Sequence, residues 1–408
     1  MGSATAAARR GSGGLIAALA VTQTVGYGVL YYAFSVLLGP MSRDLGISTT
    51  TAAGAFTTAV LVTGLMSVPV GRWLDARGGH GLMTAGSLLG AMAVLGWSQV
   101  QTVPQLYVVF VAIGISAAMV LYEPAFAVVV AVTAPAARTR ALLGITLVAG
   151  FASSIFIPLT GYLVDAYDWR RTLLILAATL GFLTIPLHAT ALRRTGPRHG
   201  VPQRSGSPAR ALRDPGFWLL AAAFVLHSGA QAVIAVHLVL YLVNLGHSTA
   251  TAASLAGVLG LLSVTGRIAT TISLRWLPMA TIMAGVLVLQ GVSISMLPLV
   301  GRNLAGAIAC LVLFGLGFGI SSIATPAILL DRYGATGYAT IAGTLATPVI
   351  ISRASAPLGA AILAGSAGYH PVILSVAAAC LTAAALLTLG RRIPAPAIGE
   401  RRRTARLS

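Results

Sequence analysis

The sequence predicts an all-α membrane protein in which twelve transmembrane helices form two pseudo-symmetric six-helix bundles. Of the 408 residues, 57% are hydrophobic and only 8% are charged, and the mean hydropathy is +0.90. A water-soluble globule cannot bury that much apolar surface. Apolar stretches of about 20 residues, long enough to cross roughly 30 Å of hydrocarbon, recur along the chain. An internal repeat then divides these stretches into two sets of six.

The apolar stretches predict twelve spans separated by short polar breaks. The predicted spans are 15–38, 51–71, 81–100, 104–131, 140–163, 171–192, 216–242, 249–273, 279–299, 303–330, 338–363 and 371–390. The rest of the organisation follows from these spans. It comprises an N-terminal arm (1–14), an N-terminal six-helix bundle (15–192), a linker rich in Pro, Gly, Ser and Arg (193–215), a C-terminal six-helix bundle (216–390) and a basic tail (391–408).

Basic charge is distributed unevenly between the two predicted membrane faces. The chain has no lysine, and 26 arginines against eight acidic residues give a net charge of +18. If the N-terminus is cytoplasmic, the opposite face receives only Arg43, Arg170, Arg171 and Arg302. This positive-inside pattern predicts an inner-membrane protein with both termini in the cytoplasm. The partners expected are the lipid bilayer and a small-molecule solute, with no nucleic acid, and a monomer is the expected functional unit.

The two halves repeat each other. LGISTTTAA at 45–53 returns as LGHSTATAA at 245–253, identical at seven of nine positions after a shift of 200 residues. Two equivalent bundles leave a central crevice that rocking can open to either side, which suits alternating access. Four prolines recur with nearly the same shift and predict helix breaks or kinks at matching depths: Pro124, Pro326, Pro158 and Pro357.

The segment GRWLDARGGHG at 71–81 resembles the loop signature of the major facilitator superfamily, through Gly71, Asp75, Arg77 and Gly78. In that family the Asp and Arg hold the cytoplasmic gate through charge and helix-dipole contacts. The resemblance therefore implies a gate role for Gly71, Asp75 and Arg77. The alternative is that the loop only carries positive-inside charge. The symmetric copy is degraded, with Thr and Arg at the Gly and Asp positions.

Within the superfamily the chain resembles the monocarboxylate porters and oxalate/formate antiporters. GYGVLYYAFSVLLGPMSRDLGIS in span 1, YEP at 122–124 and SVTGR at 263–267 carry this resemblance. Those proteins hold carboxylates with a cation on the eighth span and, in the antiporters, another on the eleventh. The resemblance implies the same role for Arg267, and Arg353 lies on span 11. Monocarboxylate porters also have an Asp one turn before the arginine, where this chain has Ser263, so proton coupling through that Asp is excluded.

Three charges are predicted at membrane depth, where an ionisable group is costly and usually functional. Glu123 is the only acidic side chain placed well inside a span, and Arg267 and Arg353 lie in spans 8 and 11. Arginine keeps its charge at any ordinary pH, so both arginines require anions from the protein or from a substrate. Glu123 is predicted either to carry a proton or to form a static ion pair with an arginine.

The repeat also aligns Tyr27 with His227 and Tyr31 with Gln231. Each half thus has a polar pair spaced i, i+4 on one face of its first span. These two helices face the cavity in the superfamily. The four side chains are predicted substrate contacts, with hydrogen bonding between helices as the alternative.

The chain is therefore predicted to be a secondary transporter of an organic anion, a mono- or dicarboxylate, with proton coupling left open. The alternative is a proton-driven exporter of a drug or secondary metabolite. An ATP-driven pump is excluded because a P-loop needs a lysine. No catalytic residue, cofactor or metal site is predicted. An intramembrane hydrolase built on His227, Ser228 and Glu123, and a non-transporting sensor, are the remote alternatives.

Overall fold

The computed structural model describes residues 2–193 and 208–394, and there the chain forms the predicted all-α architecture of twelve transmembrane helices. We number them α1 (Gly2–Tyr27, a π-helical turn Gly28–Tyr32, and Ala33–Asp44), α2 (Thr49–Arg77), α3 (Gly79–Ser98), α4 (Val103–Val120 and Tyr122–Val132), α5 (Pro135–Ala149 and Ala152–Tyr167), α6 (Trp169–Ala191), α7 (Pro215–Asn244), α8 (Thr249–Ser273), α9 (Met279–Val300), α10 (Leu304–Gly315 and Ser321–Tyr333), α11 (Tyr338–Ala367) and α12 (Tyr369–Arg392).

Ten of these helices are each long and apolar enough, within the described residues, to cross a membrane. The other two are α8, which is rich in Thr and Ser, and α10, which is divided into two shorter helices. The helix that begins α1 starts at Gly2, so residues 2–14 of the predicted arm belong to that helix. Most of the predicted linker and tail lies outside the described residues, and a short helix, Pro208–Leu212, precedes α7.

The repeated motif builds the same helix–turn–helix in both halves. Gly46 and Gly246 have φ angles of 63° and 105°, the left-handed region that glycine adopts at little cost. Ser48 and Ser248 then cap α2 and α8, each accepting a hydrogen bond from the backbone N–H three residues on, at 3.0 and 3.2 Å. The repeat conserves the turn that joins the first two helices of each bundle.

The break in α4 has a proline as its cause. α4 is interrupted at Leu121, three residues before Pro124, whose ring would clash with the carbonyl group four residues earlier. That group belongs to Val120, and Gln23 Nε2 of α1 donates a hydrogen bond to its oxygen at 2.6 Å. The carbonyl freed by the break is thus satisfied inside the bundle.

The break in α10 is not where the prolines predicted it. It covers residues 316–320, where glycines alternate along the chain and Gly319 has a φ of 93°. Pro326 lies inside the second helix of α10, and Pro158 and Pro357 also lie inside helices. Glycine content, rather than proline, sets the position of this break.

The two bundles meet closely along α2 and α11. A Cβ atom on Gly71 would collide with the backbone oxygen of Ala339, and one on Gly343 with that of Ser67. Only glycine allows the two backbones to approach this closely.

The contact between α2 and α11 covers only one half of the membrane. Hydrogen bonds between them run from Asp75, in the last turn of α2, to Gly64, whose oxygen accepts from Thr347 Oγ1 at 2.7 Å. With a rise of 1.5 Å per residue this spans roughly 16 Å. An even number of spans places both chain ends on one side, which we call the termini face, and the contact lies on that side.

The opposite half of the crevice lacks such contacts. In the described residues, the outer halves of α1 and α5 (Ala33–Asp44 and Ala152–Tyr167) make no hydrogen bond or ring contact with the C-terminal bundle. The contacts between the bundles are thus concentrated at the termini face, which we take as the closed side of the crevice.

A buried ion pair joins three helix ends at the termini face. Asp214, which caps α7, accepts hydrogen bonds at its Oδ2 atom from Arg332 Nε at 2.9 Å and from the Tyr333 hydroxyl at 2.7 Å. Arg332 Nη1 also donates to the backbone oxygens of Gly390 and Ile393 at 3.0 and 3.1 Å. The start of α7 and the ends of α10 and α12 are thus held together.

We expect Asp214→Ala to lower the free energy of unfolding by about 3 kcal/mol, because it leaves the Arg332 charge buried and unpaired. Burial raises the pKa of Asp214, but hydrogen bonds from Tyr333, a backbone N–H and Arg332 outweigh it, and the pKa is lowered. The stabilisation is therefore full above the unfolded pKa of about 3.9 and is lost as the pH falls through the lower folded pKa. Melting temperatures in detergent at a series of pH values measure this.

Asp331→Ala is the matched control, because Asp331 is exposed at the same end of α10 and forms no ion pair among the described residues. It should leave the melting temperature unchanged. Equal melting temperatures for Asp214→Ala and Asp331→Ala at neutral pH would contradict a stabilising role for the ion pair.

Candidate functional site

The crevice contains the three charges predicted at membrane depth. Glu123 lies in the first turn of the second helix of α4, directly after the break, and is half-buried. Arg267 is half-buried on α8, and Arg353 is exposed at the middle of α11. One carboxyl group thus comes from the N-terminal bundle and both guanidinium groups come from the C-terminal bundle.

Arg267 links the two bundles through backbone oxygens. Its Nη1 atom donates to the oxygen of Thr146, on α5 of the N-terminal bundle, at 2.9 Å, and its Nε atom lies 3.4 Å from the oxygen of Gly319 in the α10 break. In the described part of the chain, no carboxylate lies within 4.0 Å of Arg267 or Arg353. Carbonyl dipoles solvate the Arg267 charge, but they do not neutralise it.

Arg353 and Glu123 interact electrostatically without forming an ion pair. Arg353 Nε donates to Ser228 Oγ, on α7, at 3.3 Å. Glu123 lies in the field of Arg353, yet the described residues give its carboxylate no salt-bridge partner. The static ion pair considered from the sequence is not formed in this conformation.

His227 and Gln231 hold the α10 break. Gln231 Nε2 lies 3.0 Å from His227 Nε2 and donates to the oxygen of Gly317 at 3.1 Å. Because the amide nitrogen is a donor, His227 Nε2 must accept, so the imidazole is neutral in this arrangement. Its Nδ1 atom is buried and has no partner among the described residues. His227 thus lies beneath the cavity surface, and Gln231 is the half-buried member of the pair.

Four tyrosines form a cluster on the N-terminal bundle. Tyr27 and Tyr31, predicted from the repeat, are joined by Tyr32 and Tyr122. Ring centroids are 4.6 Å apart for Tyr27 and Tyr122, 6.3 Å for Tyr27 and Tyr31, and 5.3 Å for Tyr31 and Tyr32. All four side chains are half-buried, and none of their hydroxyls has a hydrogen-bond partner in the described residues.

The π-helical turn explains why Tyr32 belongs to this cluster. Residues Gly28–Tyr32 form a single π-helical turn in α1, a feature often found at functional sites. A turn of this kind brings residues five positions apart to the same side of the helix, so Tyr32 lies near Tyr27, with ring centroids 6.5 Å apart. In a regular α-helix the same spacing would separate the two residues by about 140° around the helix axis.

The tyrosine cluster faces the arginines across the crevice. Tyr32 interacts electrostatically with both Arg267 and Arg353, Tyr122 with Arg267, and Tyr27 with Arg353. The N-terminal bundle therefore supplies aromatic rings and one carboxyl group. The C-terminal bundle supplies two cations.

The predicted gate residue Asp75 contacts the opposite bundle. Its Oδ1 atom accepts from the backbone N–H of Ala339 at 3.2 Å, and its Oδ2 atom accepts from the N–H and the hydroxyl of Thr340 at 2.8 and 2.6 Å. These donors belong to the first turn of α11, which begins at Tyr338. A carboxylate at a helix N-terminus is stabilised by the free N–H groups and the helix dipole.

The other residues of the signature are placed differently. Gly71 lies at the closest approach of α2 and α11. The guanidinium group of Arg77 stacks on Trp73 of its own helix, 4.4 Å from the ring centroid. Within the described residues, Arg77 forms no hydrogen bond with α11, unlike Asp75. The segment predicted as a loop is mostly helix, because α2 continues to Arg77 and α3 begins at Gly79.

A family profile described as Major Facilitator Superfamily matches residues 19–350. The chain belongs to the major facilitator superfamily. It is therefore a multi-pass membrane transporter of a small-molecule solute, and not an enzyme. No curated protein matches the sequence.

Solved structures of three superfamily transporters are similar to the chain. They are the E. coli fucose:proton symporter (TM-score 0.72, 14% identity, 92% of this chain and 98% of that one), the human organic anion transporter MFSD10 (0.68, 16%, 93% and 99%) and the proton:xylose symporter XylE (0.66, 12%, 92% and 95%). A structure of the fucose transporter in the outward conformation also matches, with a TM-score of 0.71, 14% identity, and coverage of 92% and 98%. These identities show the shared fold.

Proposed function

We propose that this superfamily member is a secondary transporter of an organic anion that works by alternating access. The observation that carries the proposal is the pair of cavity arginines, for which the described residues supply no carboxylate partner. A charge removed from water in a low-dielectric site is costly unless it is paired. Since arginine cannot lose its proton, a substrate anion is the natural partner when the cavity closes.

The side of the membrane to which the cavity opens is consistent with this proposal. If the arginine-rich loops are cytoplasmic, as the positive-inside pattern predicts, both termini lie in the cytoplasm and the closed termini face is the cytoplasmic one. The cavity then faces outward in this conformation. One structural neighbour is described as an organic anion transporter and two as sugar symporters. The uncompensated charges support an anion rather than a neutral sugar.

The contacts of Arg267 suggest how the solute drives rocking. In the described conformation its Nη1 atom is bonded to the Thr146 oxygen of the other bundle. A carboxylate is a stronger acceptor than a carbonyl, so the solute competes for this donor. Binding then loosens one contact between bundles and neutralises the cavity charge. The solute must bind more tightly in one of the two facing states for this to favour the change.

We expect Glu123→Gln to make transport independent of pH. Glu123 is the only carboxyl group of the described residues that lies well inside a span and within the field of a cavity arginine. If it carries a proton with the anion, uptake rises as the external pH falls, and the neutral amide removes this dependence. Initial uptake rates in proteoliposomes at several external pH values measure it.

Asp165→Asn is the matched control, because Asp165 is an exposed carboxyl group near the outer end of α5. It should keep the pH profile of the wild type. A Glu123→Gln protein with the same profile would show that Glu123 carries no proton.

The test of the proposed function is a thermal-shift screen of the detergent-purified protein, because a ligand of the folded state raises the apparent stability. Small mono- and dicarboxylates, neutral sugars and hydrophobic antibiotics are compared. Stabilisation by carboxylates supports the proposal. Stabilisation only by bulky apolar compounds would favour the exporter, and stabilisation only by sugars would favour a sugar symporter.

A further inference from the structure

The two walls of the crevice present different chemistry. The N-terminal wall has four tyrosine rings with centroids 4.6–6.5 Å apart, and Phe56 extends it, 5.2 Å from Tyr31. The C-terminal wall has Arg267 and Arg353. A solute that touches only one wall cannot link the two bundles, whereas a solute with two different ends can.

The charges of the cavity specify how many negative groups the solute carries. Seven of the eight acidic residues lie at helix ends, in turns or in the tail, which leaves Glu123 as the only cavity carboxyl group. His227 is neutral, since its Nε2 atom accepts from Gln231. In the proton-free cavity, where Glu123 is ionised, two guanidinium groups and one carboxylate leave one positive charge. A single carboxylate on the solute balances it.

The tyrosine wall specifies the body of the solute. Rings in tilted and edge-to-face contact leave faces and edges on which another ring can pack in the same geometries. The four side chains are half-buried, and no hydrogen bond joins their hydroxyls to the described part of the chain, so the wall is also polar at its rim. A wall of aliphatic side chains would bind an aliphatic solute and an aromatic solute equally well. A wall of tyrosine rings favours a solute with a flat, polarisable ring.

We infer that the solute is a monocarboxylate bearing an aromatic ring, with its carboxylate at Arg267 and its ring against Tyr27, Tyr32 and Tyr122. This inference rests on the proposed function, because it assigns the chemistry of the same anion site. The anionic end contacts the C-terminal bundle and the ring contacts the N-terminal bundle. The solute itself therefore joins the two bundles.

Titration calorimetry of the purified full chain with four probes tests the inference. They are acetate, cyclohexanecarboxylate, benzoate and benzene-1,4-dicarboxylate. We expect benzoate to bind about tenfold more tightly than acetate and about threefold more tightly than cyclohexanecarboxylate, from ring packing. The dicarboxylate should bind no more tightly than benzoate. Benzyl alcohol, which has the ring without the charge, should not bind measurably.

Substitutions in the wall locate the effect. Tyr122→Leu and Tyr32→Leu should each reduce the ratio of benzoate to acetate affinity by about threefold while leaving acetate binding unchanged. Tyr122→Phe keeps the ring and should keep the ratio. Tyr162→Leu is the control, because Tyr162 is 70% exposed on the outer part of α5. If a leucine variant does not fold, the wild-type probe series decides.

The outcomes separate this inference from the proposed function. Acetate binding that depends on Arg267, with no gain for benzoate, would overturn the aromatic solute and leave organic-anion transport standing. A dicarboxylate that binds more than about tenfold more tightly than benzoate would overturn the charge count. If no carboxylate binds the wild type, the proposed function itself fails.

Discussion

Arg267→Gln is expected to weaken carboxylate binding by about 100-fold or more, the largest effect of any single cavity substitution. Losing one partner of a desolvated charge pair costs about 2–5 kcal/mol, and about 2.8 kcal/mol corresponds to 100-fold. Arg267 is also the residue whose Nη1 atom reaches across to the Thr146 oxygen. The glutamine variant therefore loses both the anion site and a link between the bundles. Calorimetric titration with benzoate and acetate measures the affinity.

Arg275→Gln is the matched control for this substitution. Arg275 follows α8 by two residues and is exposed at the termini face, and its side chain has no hydrogen bond or ion pair in the described part of the chain. Removal of its charge should leave the affinity within about twofold of the wild type. If the two variants bound carboxylates equally well, Arg267 would not be the anion site.

Gly343→Ala is expected to reduce the transport rate by at least about tenfold. The added Cβ atom would collide with the backbone oxygen of Ser67, so α2 and α11 could not pack as closely. Overpacking of this kind costs about 1–3 kcal/mol. That cost falls on the conformation closed at the termini face, and it shifts the equilibrium away from the state that is open on the other side. Uptake into proteoliposomes measures the rate.

Gly359→Ala provides the comparison on the same helix. A Cβ atom at Gly359 would have no atom within 4 Å outside its own helix turn. This variant should transport at the wild-type rate, because it changes α11 without touching α2. Equal rates for the Gly343 and Gly359 variants would mean that close packing of α2 on α11 is not part of the transport cycle.

The two bundles touch through an α2–α11 contact and an α5–α8 contact, and a solute in the cavity can compete only for the second. The α2–α11 contact depends on backbone packing and on Asp75 at the N-terminus of α11. No solute in the cavity competes for those donors. The α5–α8 contact depends on the Arg267 side chain, whose donors a carboxylate can take. We therefore expect the solute to act on the second contact, and the first to close and open as a consequence.

Most of the fold could be predicted from the sequence because hydrophobic length and an internal repeat depend on local residue patterns. The predicted spans end within six residues of the helix ends, except that α1 begins 13 residues before its predicted span. The motif at 45–53 and its repeat at 245–253 do mark the first turn of each half. Pro326 predicts a break or kink, but the break in α10 lies before it, at the alternating glycines 315–319. A proline inside a membrane helix can be accommodated, so its presence alone does not locate a break.

The site was predicted less completely, since it depends on how helices pack. Glu123, Arg267 and Arg353 were identified because charges are rare at membrane depth. Tyr32 was missed because a π-helical turn has no clear sequence signal, and regular helical spacing separates it from Tyr27. The sequence marks Tyr122 only as part of YEP at 122–124. The bond from Arg267 to Thr146 joins residues 121 positions apart, and no local pattern predicts it.

Counterflow in proteoliposomes tests directly whether this cavity carries an organic anion. Vesicles containing the purified protein are loaded with unlabelled benzoate, and the entry of labelled benzoate or acetate is followed after dilution. We expect transient accumulation of label with the wild type and with Arg275→Gln, and none with Arg267→Gln. Failure of every carboxylate to exchange, with a wild-type protein that is folded and exchanges another solute, would contradict transport of an organic anion through this cavity.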